Sequence, residues 1–554
     1  MAKTHEPSGA HRWAKRRSLI VTLAALCLVA ASCSSSRSSG STTSSSGSIG
    51  DEGSPVDGGS IVIGVPAETS GWNPHDNQIG QTGSLVTSAI LEPLAALDAN
   101  LDPVPWLATS WTPNAQYDSY TVALRPGVVF QNGEPFDAAA AKLNIDDALT
   151  GTVSSTALKG LITKVTVVDS LTIQVSLSQP WAAFPNTFLA SLSGMMMAPA
   201  ALKSATRGTD HPIGTGPFTF SSWKPDSALI ATKNRSYWQP GLPHLDQIEF
   251  RVINETSTQS AAMKTGDVTM IFTDSAAAAN TLTSGYTVIK DWTSEPSMAI
   301  VNTISEVNGA PNPLANLHAR LALAYATDRS ALAAAIGQGV QTPNSPFATT
   351  SKWGLPEDQN GYVNFDLDKA KQEVAAYEAD TGATSFKITL SLATTGDNQQ
   401  IAQLLQGQWA EAGITTTLDP KEITTSSIDV VFGHYQVAIF PLYSSPDPDQ
   451  NYFFWAAANI HGEGTLSLNF SQFTTPQLET GITTGRQSPD FATRKAAYDE
   501  VVHQINGAAV NIWTYSTPYS IIASPKVHGL SQASQVPFGN FQPKTWLGNL
   551  WLST

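Results

Sequence analysis

Residues Tyr120 to Phe136 read YTVALRPGVVFQNGEPF, and the fold is read outward from them. Arg125-Pro126-Gly127 and Asn132-Gly133 are turn formers. Proline presets φ, while glycine and asparagine accept left-handed backbone. Between the two turns, Val128-Val129-Phe130 is expected to form a short strand.

Downstream, Val165, Val167, Leu171, Ile173, Val175 and Leu177 alternate with polar residues about a turn at Asp169-Ser170, which predicts a hairpin. Gly214 and Gly216 bracket a tight turn before Phe218-Thr219-Phe220. Upstream, Ser60-Ile61-Val62-Ile63-Gly64-Val65 reads as a buried strand. Phe386, Ile388, Leu390 and Leu392 alternate again, and Ile401, Leu404, Leu405 and Trp409 share one helical face. Gly413 stands where a helix ends, and Ile414–Leu418 can form the next strand, completing a βαβ unit. Asp328 can cap a helix beginning at Arg329. Pro489-Asp490 opens a further helix with Phe491, Arg494, Tyr498, Val501, Val502 and Ile505 on one side. There is no internal repeat, and the class is mixed α/β.

Several of these segments, in this order, resemble one known family. Leu91-Glu92-Pro93-Leu94 and Pro103-Val104-Pro105-Trp106-Leu107-Ala108-Thr109-Ser110-Trp111 are similar to its opening "pvP-x-LA-x-SW". Tyr120–Phe136 is close to "LR-x-GV-x-F-x-dG-x-PF", and Gly214-Thr215-Gly216-Pro217-Phe218 to "GTGPF". Asn234 to Phe250, NRSYWQPGLPHLDQIEF, is similar to "N-x-x-YW…P-x-ld-x-i-x-F". Ala319-Arg320-Leu321-Ala322 and Thr327-Asp328-Arg329 match the "vR-x-Al-x-x-AiDR" helix. The family is the large solute-binding lipoproteins of peptide and nickel ABC importers. The resemblance covers nearly all of residues 59–530.

The resemblance implies a large, two-lobed periplasmic-binding-protein-like fold of the cluster C type, with an inserted subdomain in the first lobe. Residues 57–99, 213–300 and 520–554 would form lobe I, 100–212 its insertion, and 301–519 lobe II. The ligand would be enclosed between the lobes by hinge closure. The partners implied are a peptide or peptide-like solute, a permease and an ATPase, with the binding protein a monomer. No cofactor and no catalytic residue is expected.

For ligand contact, the richest stretch is Tyr443-Ser444-Ser445-Pro446-Asp447-Pro448-Asp449, followed by Asn451 to Trp455. It falls where the family places a cleft loop "D-x-x-DP", whose first acid takes a peptide's amino terminus. Here that position is Ser444, and a hydroxyl lacks the charge an ammonium needs. Tyr443, Ser444, Asp447, Asp449 and Trp455 are therefore candidates, although the aspartates could equally shape a turn after Pro446. Trp72 and Asn73 follow the first strand, where loops border ligand sites in open α/β sheets. Trp72 could stack on a ligand or cover the core. Trp353, within Ser351-Lys352-Trp353-Gly354 of a proline-rich loop, is the third candidate.

The amino terminus carries Arg12, Lys15, Arg16 and Arg17, then an apolar run Leu19–Ala31, then Ser32 and Cys33. That is an export signal, and the cysteine placement resembles a lipobox, though Ala30 stands where leucine is usual. The run is too short to span a bilayer, which takes about 20 residues. The expectation is a signal peptide over 1–32, and a tether over 33–56 beginning at an acylated Cys33. That places the protein, exported and lipid-anchored, on the outer face of the bacterial cytoplasmic membrane. Ser34–Ser54 holds 11 serines and almost nothing apolar, so it is expected to be a flexible spacer. Its reach is about 25 Å. The only other cysteine, Cys27, lies in the leader, so the mature body forms no internal disulfide.

The whole chain carries −15; with the leader's net +4 removed, the body carries −19. An acidic body of this size argues against nucleic acid as a partner. It is also too long for a single core. Enzyme signatures fail in context. Ser221-Ser222-Trp223-Lys224 and Lys264-Thr265-Gly266 match elements of penicillin-interacting serine enzymes, but Ser221 lies in a strand pattern and no S-D-N separates them. His75, His211, His244, His318, His434, His461, His503 and His528 never occur at i, i+4, which argues against a compact metal site. A haem, metal chelate or sugar as cargo, or a surface sensor without transport, are the alternatives to peptide uptake.

Overall fold

The computed structural model describes residues 53–553 apart from 78, 153, 155–157, 159, 274, 291–295, 395–396, 443–444, 517–518, 531–534 and 538–544. Cys33, Tyr443 and Ser444 lie outside the described residues.

Two large sheets organise the chain. The first has seven strands, in the order Phe218–Lys224, Ala228–Lys233, Gln247–Val252, Ser60–Val65, Met270–Thr273, Ser520–Ala523, Thr287–Lys290. Ser60–Val65 runs parallel to Gln247–Val252 along its whole length. Ile61, Ile63 and Val65 face the main core, while Val62 packs on a smaller cluster behind the sheet with Met263, Val268 and Ile522. A parallel strand covered on both faces needs such a continuous apolar run.

The second sheet has five strands, in the order Ile414–Lys421, Phe386–Ala393, Val437–Pro441, Ser297–Val301, Asn511–Trp513. The βαβ unit forms with Phe386 paired to Ile414 and Ala393 to Lys421. Gly413 takes φ +92°, the left-handed residue that ends its helix. Asp328 and Asp490 cap their helices by accepting from Ala331 N and Thr493 N. The chain passes from the first sheet to the second between Lys290 and Ser297, and returns between Trp513 and Ser520.

A third, four-stranded antiparallel sheet joins Ala108–Pro113, Ser119–Leu124, Thr172–Leu177 and Ile162–Asp169. The last two are the hairpin. This sheet shares one hydrophobic core with the seven-stranded sheet, while the five-stranded sheet has its own.

Val128-Val129-Phe130 is not a strand. Only Val129 and Pro135 form a bridge, and Phe130 N, Gly133 N and Phe136 N close a tight loop onto Glu134, Phe130 and Val128. Gln131 holds that loop in place. Its amide donates to the carbonyls of Ile90, Gly216 and Phe218 and accepts from Gly214 N at 3.0 Å.

The segments that resemble the family meet around one buried carboxylate. Glu92 is fully buried. Its Oε1 accepts from Trp106 Nε1 at 2.9 Å and from the Tyr237 hydroxyl at 2.6 Å. Its Oε2 accepts from Thr215 Oγ1 at 2.8 Å and Trp238 Nε1 at 3.0 Å. Arg125 lies 4.5 Å from the Trp238 ring centroid and donates from Nε to the Trp106 carbonyl. Burial pushes the Glu92 pKa above the ordinary carboxylate value, against the pull of its four donors.

The turn at Gly214 is set by space. A Cβ there would lie 2.1 Å from the Ile90 carbonyl oxygen, which accepts the Gly216 N–H at 2.9 Å. Gly214→Ala is expected to destabilise the protein by about 2–3 kcal/mol, the usual scale of overpacking. Its denaturant midpoint against wild type measures this; an unchanged midpoint would show that the turn yields freely.

Candidate functional site

The cleft-loop segment turns sharply at Pro446 and runs into a short 3-10 helix, Pro448–Asn451. Asp447 caps that helix by accepting from Asp449 N at 3.0 Å. Behind it pack two antiparallel helices, Pro476–Gln487 and Phe491–Gly507. Each sends one arginine into the loop.

Arg494 forks onto Asp447, with Nη1 to Oδ2 at 2.9 Å and Nη2 to Oδ1 at 2.6 Å. Its Nε donates to the Gly485 carbonyl at 2.7 Å. Asp447 is 1 % exposed, so the pair is desolvated. Burial alone would ease the proton off Arg494, but the facing Asp447 carboxylate more than reverses this and holds its pKa above the ordinary value. Arg486 donates from Nε to Asp449 Oδ1 at 2.7 Å, and its guanidinium lies 3.6 Å from the Tyr452 ring centroid. Two carboxylates therefore meet two guanidiniums in one buried, formally neutral layer.

That layer also touches the other lobe. Asp449 Oδ2 accepts from Trp181 Nε1 at 2.6 Å and from Thr187 Oγ1 at 3.1 Å. Gln450 Nε2 donates to the Asn186 carbonyl at 3.0 Å. Lys352 Nζ donates to Asp102 Oδ1 at 2.6 Å and to the Leu101 carbonyl at 3.2 Å.

Of the candidate contact residues, the structure brings Trp353, Asp447, Asp449 and Trp455 together. Trp353 is 3 % exposed, donates from Nε1 to the Pro446 carbonyl at 3.0 Å, and lies 5.0 Å from the Arg494 guanidinium. Trp455 is buried beside Phe347 and Tyr498. Trp72 and Asn73 are packed with other partners, in the first lobe. Trp72 is buried edge-on against Trp223 at 5.5 Å, beside a cavity of about 10 Å³, room for one water. Asn73 is fully buried; its amide donates to Arg207 O and Asp76 Oδ2 and accepts from His75 N. That is a turn-holding arrangement.

Sequence reasoning did not pick out Arg486, Trp181 or Thr187. Arg494 left a trace: it shares the apolar side of its helix, where an unpaired charge would be costly. Nothing local in the sequence marks the other three partners. Ser221 and Lys224 lie within the strand Phe218–Lys224, and Lys264 ends a helix, so the serine-enzyme geometry is absent. Among the described residues there is no group of three or more histidine, cysteine or acidic side chains able to hold a metal ion. No helix among the described residues is long and apolar enough to cross a membrane.

Comparison with known proteins gives the same architecture a family. Residues 102–462 match the bacterial extracellular solute-binding proteins, family 5. The glutathione-binding protein GsiB of Pectobacterium atrosepticum is 26 % identical over 457 residues, covering 80 % of this chain and 86 % of that one. Among solved structures, the periplasmic binding protein DppA of Helicobacter pylori, in complex with the peptide STSA, superposes with a TM-score of 0.73 at 22 % identity. That match covers 90 % of this chain and 99 % of DppA. NikA of Brucella suis, in complex with Fe(III)-EDTA, gives 0.73 at 22 % identity over 89 % and 100 %. The two sheets and their separate cores are thus the two lobes of a periplasmic-binding-protein fold. Members of the family bind solutes for transporters and are not enzymes. This chain belongs to the bacterial extracellular solute-binding proteins, family 5, and is the solute-binding component of an ABC importer.

Proposed function

We propose that the protein captures a small peptide or peptide-like solute, of the glutathione size class or longer, between its lobes. The observation that carries this is the match over 80 % of the chain to a protein named for binding glutathione. The cleft loop narrows the class. Asp447 and Asp449 are each neutralised by an arginine, and Ser444 stands at the position of the family's amino-terminus acid. A cargo held here does not depend on pairing its ammonium with either aspartate. In this reading Tyr443 and Ser444 touch the cargo, Trp353 and the aspartates hold the loop, and Trp72 and Asn73 build the first-lobe wall.

The remaining parts of the proposal follow from the sequence. Cys33 is diacylated, becomes the first residue of the mature protein and anchors it to the outer face of the cytoplasmic membrane. Residues 33–56 tether a monomeric body in reach of its permease. Lobe I takes residues 57–99, 213–300 and 520–554, the insertion 100–212, and lobe II 301–519.

The test is mass spectrometry of the protein purified without added ligand, sprayed native and then denatured. Released masses that fit glutathione or a peptide ladder are the expected result. A single haem, metal-chelate or sugar mass would leave the transport role in place and overturn the peptide reading.

A further inference from the structure

Asp449 does two things at once. One oxygen is held by Arg486 of its own lobe; the other accepts two hydrogen bonds from the opposite lobe, from Trp181 and Thr187. We propose that this carboxylate is a closure latch: its bonds to Trp181 and Thr187 favour the closed arrangement of the lobes independently of cargo.

The geometry suits a reversible contact. Arg486 anchors Asp449 from behind, and the guanidinium is itself packed on Tyr452, so the carboxylate stays aimed when the lobes part. Opening would break the two bonds on the far oxygen and hand that oxygen to water; it would also break the Ala183 N–H bond to the Arg486 carbonyl, 3.3 Å, and part the Arg486 guanidinium from the Trp181 ring, 5.2 Å away. No charge would be left unpaired, because the ion pair lies within one lobe. Around it, Gln450 and Lys352 make further bonds across the same boundary. The Lys352 bond is more exposed, at 21 % and 58 % for its two side chains, and so more screened. The latch acts whatever the cargo is. It predicts that the empty protein already spends much of its time closed, so that a ligand shifts an existing equilibrium.

The experiment is double electron–electron resonance on the full chain, with Cys27 and Cys33 replaced by serine. Spin labels go on Lys203→Cys and Lys371→Cys, which are exposed and lie one in each lobe. No other cysteine exists to be labelled. Thr187→Val removes one latch bond with little change of shape, and Trp181→Phe removes the indole donor but keeps an aromatic ring. Each is expected to raise the open-to-closed ratio about tenfold, the effect of losing one hydrogen bond to a charged acceptor. Lys352→Met is expected to do less. A wild-type distribution lacking the closed distance overturns the latch. So does a distribution that Thr187→Val, with an unchanged melting temperature, leaves in place, since the contact would then be a fixed pivot. If Trp181→Phe fails to fold, Thr187→Val alone decides.

Discussion

Glu92→Gln is expected to lower stability by about 3 kcal/mol, the scale for breaking a buried, hydrogen-bonded charge. The reason is the donor count. Glu92 faces four donors and offers only acceptors. Tyr237 and Thr215 can turn their hydroxyls, but an indole N–H cannot. Trp106 bonds one oxygen and Trp238 the other, so whichever way a glutamine amide is turned, one indole points at its NH2 group. Urea denaturation compares the two proteins. Equal midpoints would mean that the node contributes nothing.

The same residue gives a pH signature. Burial raises the folded-state pKa of Glu92 above its ordinary value of about 4.5. From about 4.5 up to that raised value, the folded protein holds a proton that the unfolded chain has released. Stability from this group is therefore present at low pH and declines as pH rises through that window. Glu92→Gln has no such proton, so the gap between its melting temperature and that of wild type should narrow as pH rises across the window. A gap that widens there would reverse the sign and refute the shift.

Arg494→Met is expected to cost about 3–5 kcal/mol, because it leaves Asp447 buried without its counter-charge. Asp447 is 1 % exposed, and the remaining partner shown for its carboxylate is the Asp449 N–H. Adding Asp447→Asn to Arg494→Met should recover part of the loss, since no charge is then stranded. Calorimetry of the two single variants and the double variant measures the coupling. Additive losses would show that the pair acts through packing on Trp353 and Tyr498, not through charge.

Much of the fold was legible in local sequence. A continuous apolar run gave Ser60–Val65, alternation gave the hairpin because a pleated strand alternates its faces, and helical spacing with Gly413 and Asp490 gave helices with their ends. Val128–Phe130 misled, because two valines and a phenylalanine have strand propensity wherever they fall. What decided was Gln131, whose amide bonds three carbonyls at least 41 residues away in sequence.

The candidate site was legible only in part. The loop at Asp447–Asp449 could be found, because Pro-Asp-Pro-Asp is turn chemistry at a place the family uses. Its occupancy could not. That Asp447 answers to Arg494, 47 residues on, and Asp449 to Trp181, 268 residues back, depends on where the helices and the other lobe arrive.

By itself the sequence determined the family and the mixed α/β class. These rest on composition, short periodic patterns and motif order, which need no partner in space. Only the tertiary structure decided why the motifs matter: Trp106, Thr215, Tyr237 and Trp238 are drawn together because one buried carboxylate must satisfy its acceptors. It also decided that the cleft aspartates are bound to arginines. A buried charge takes the nearest counter-charge the fold delivers, and sequence distance does not measure that nearness.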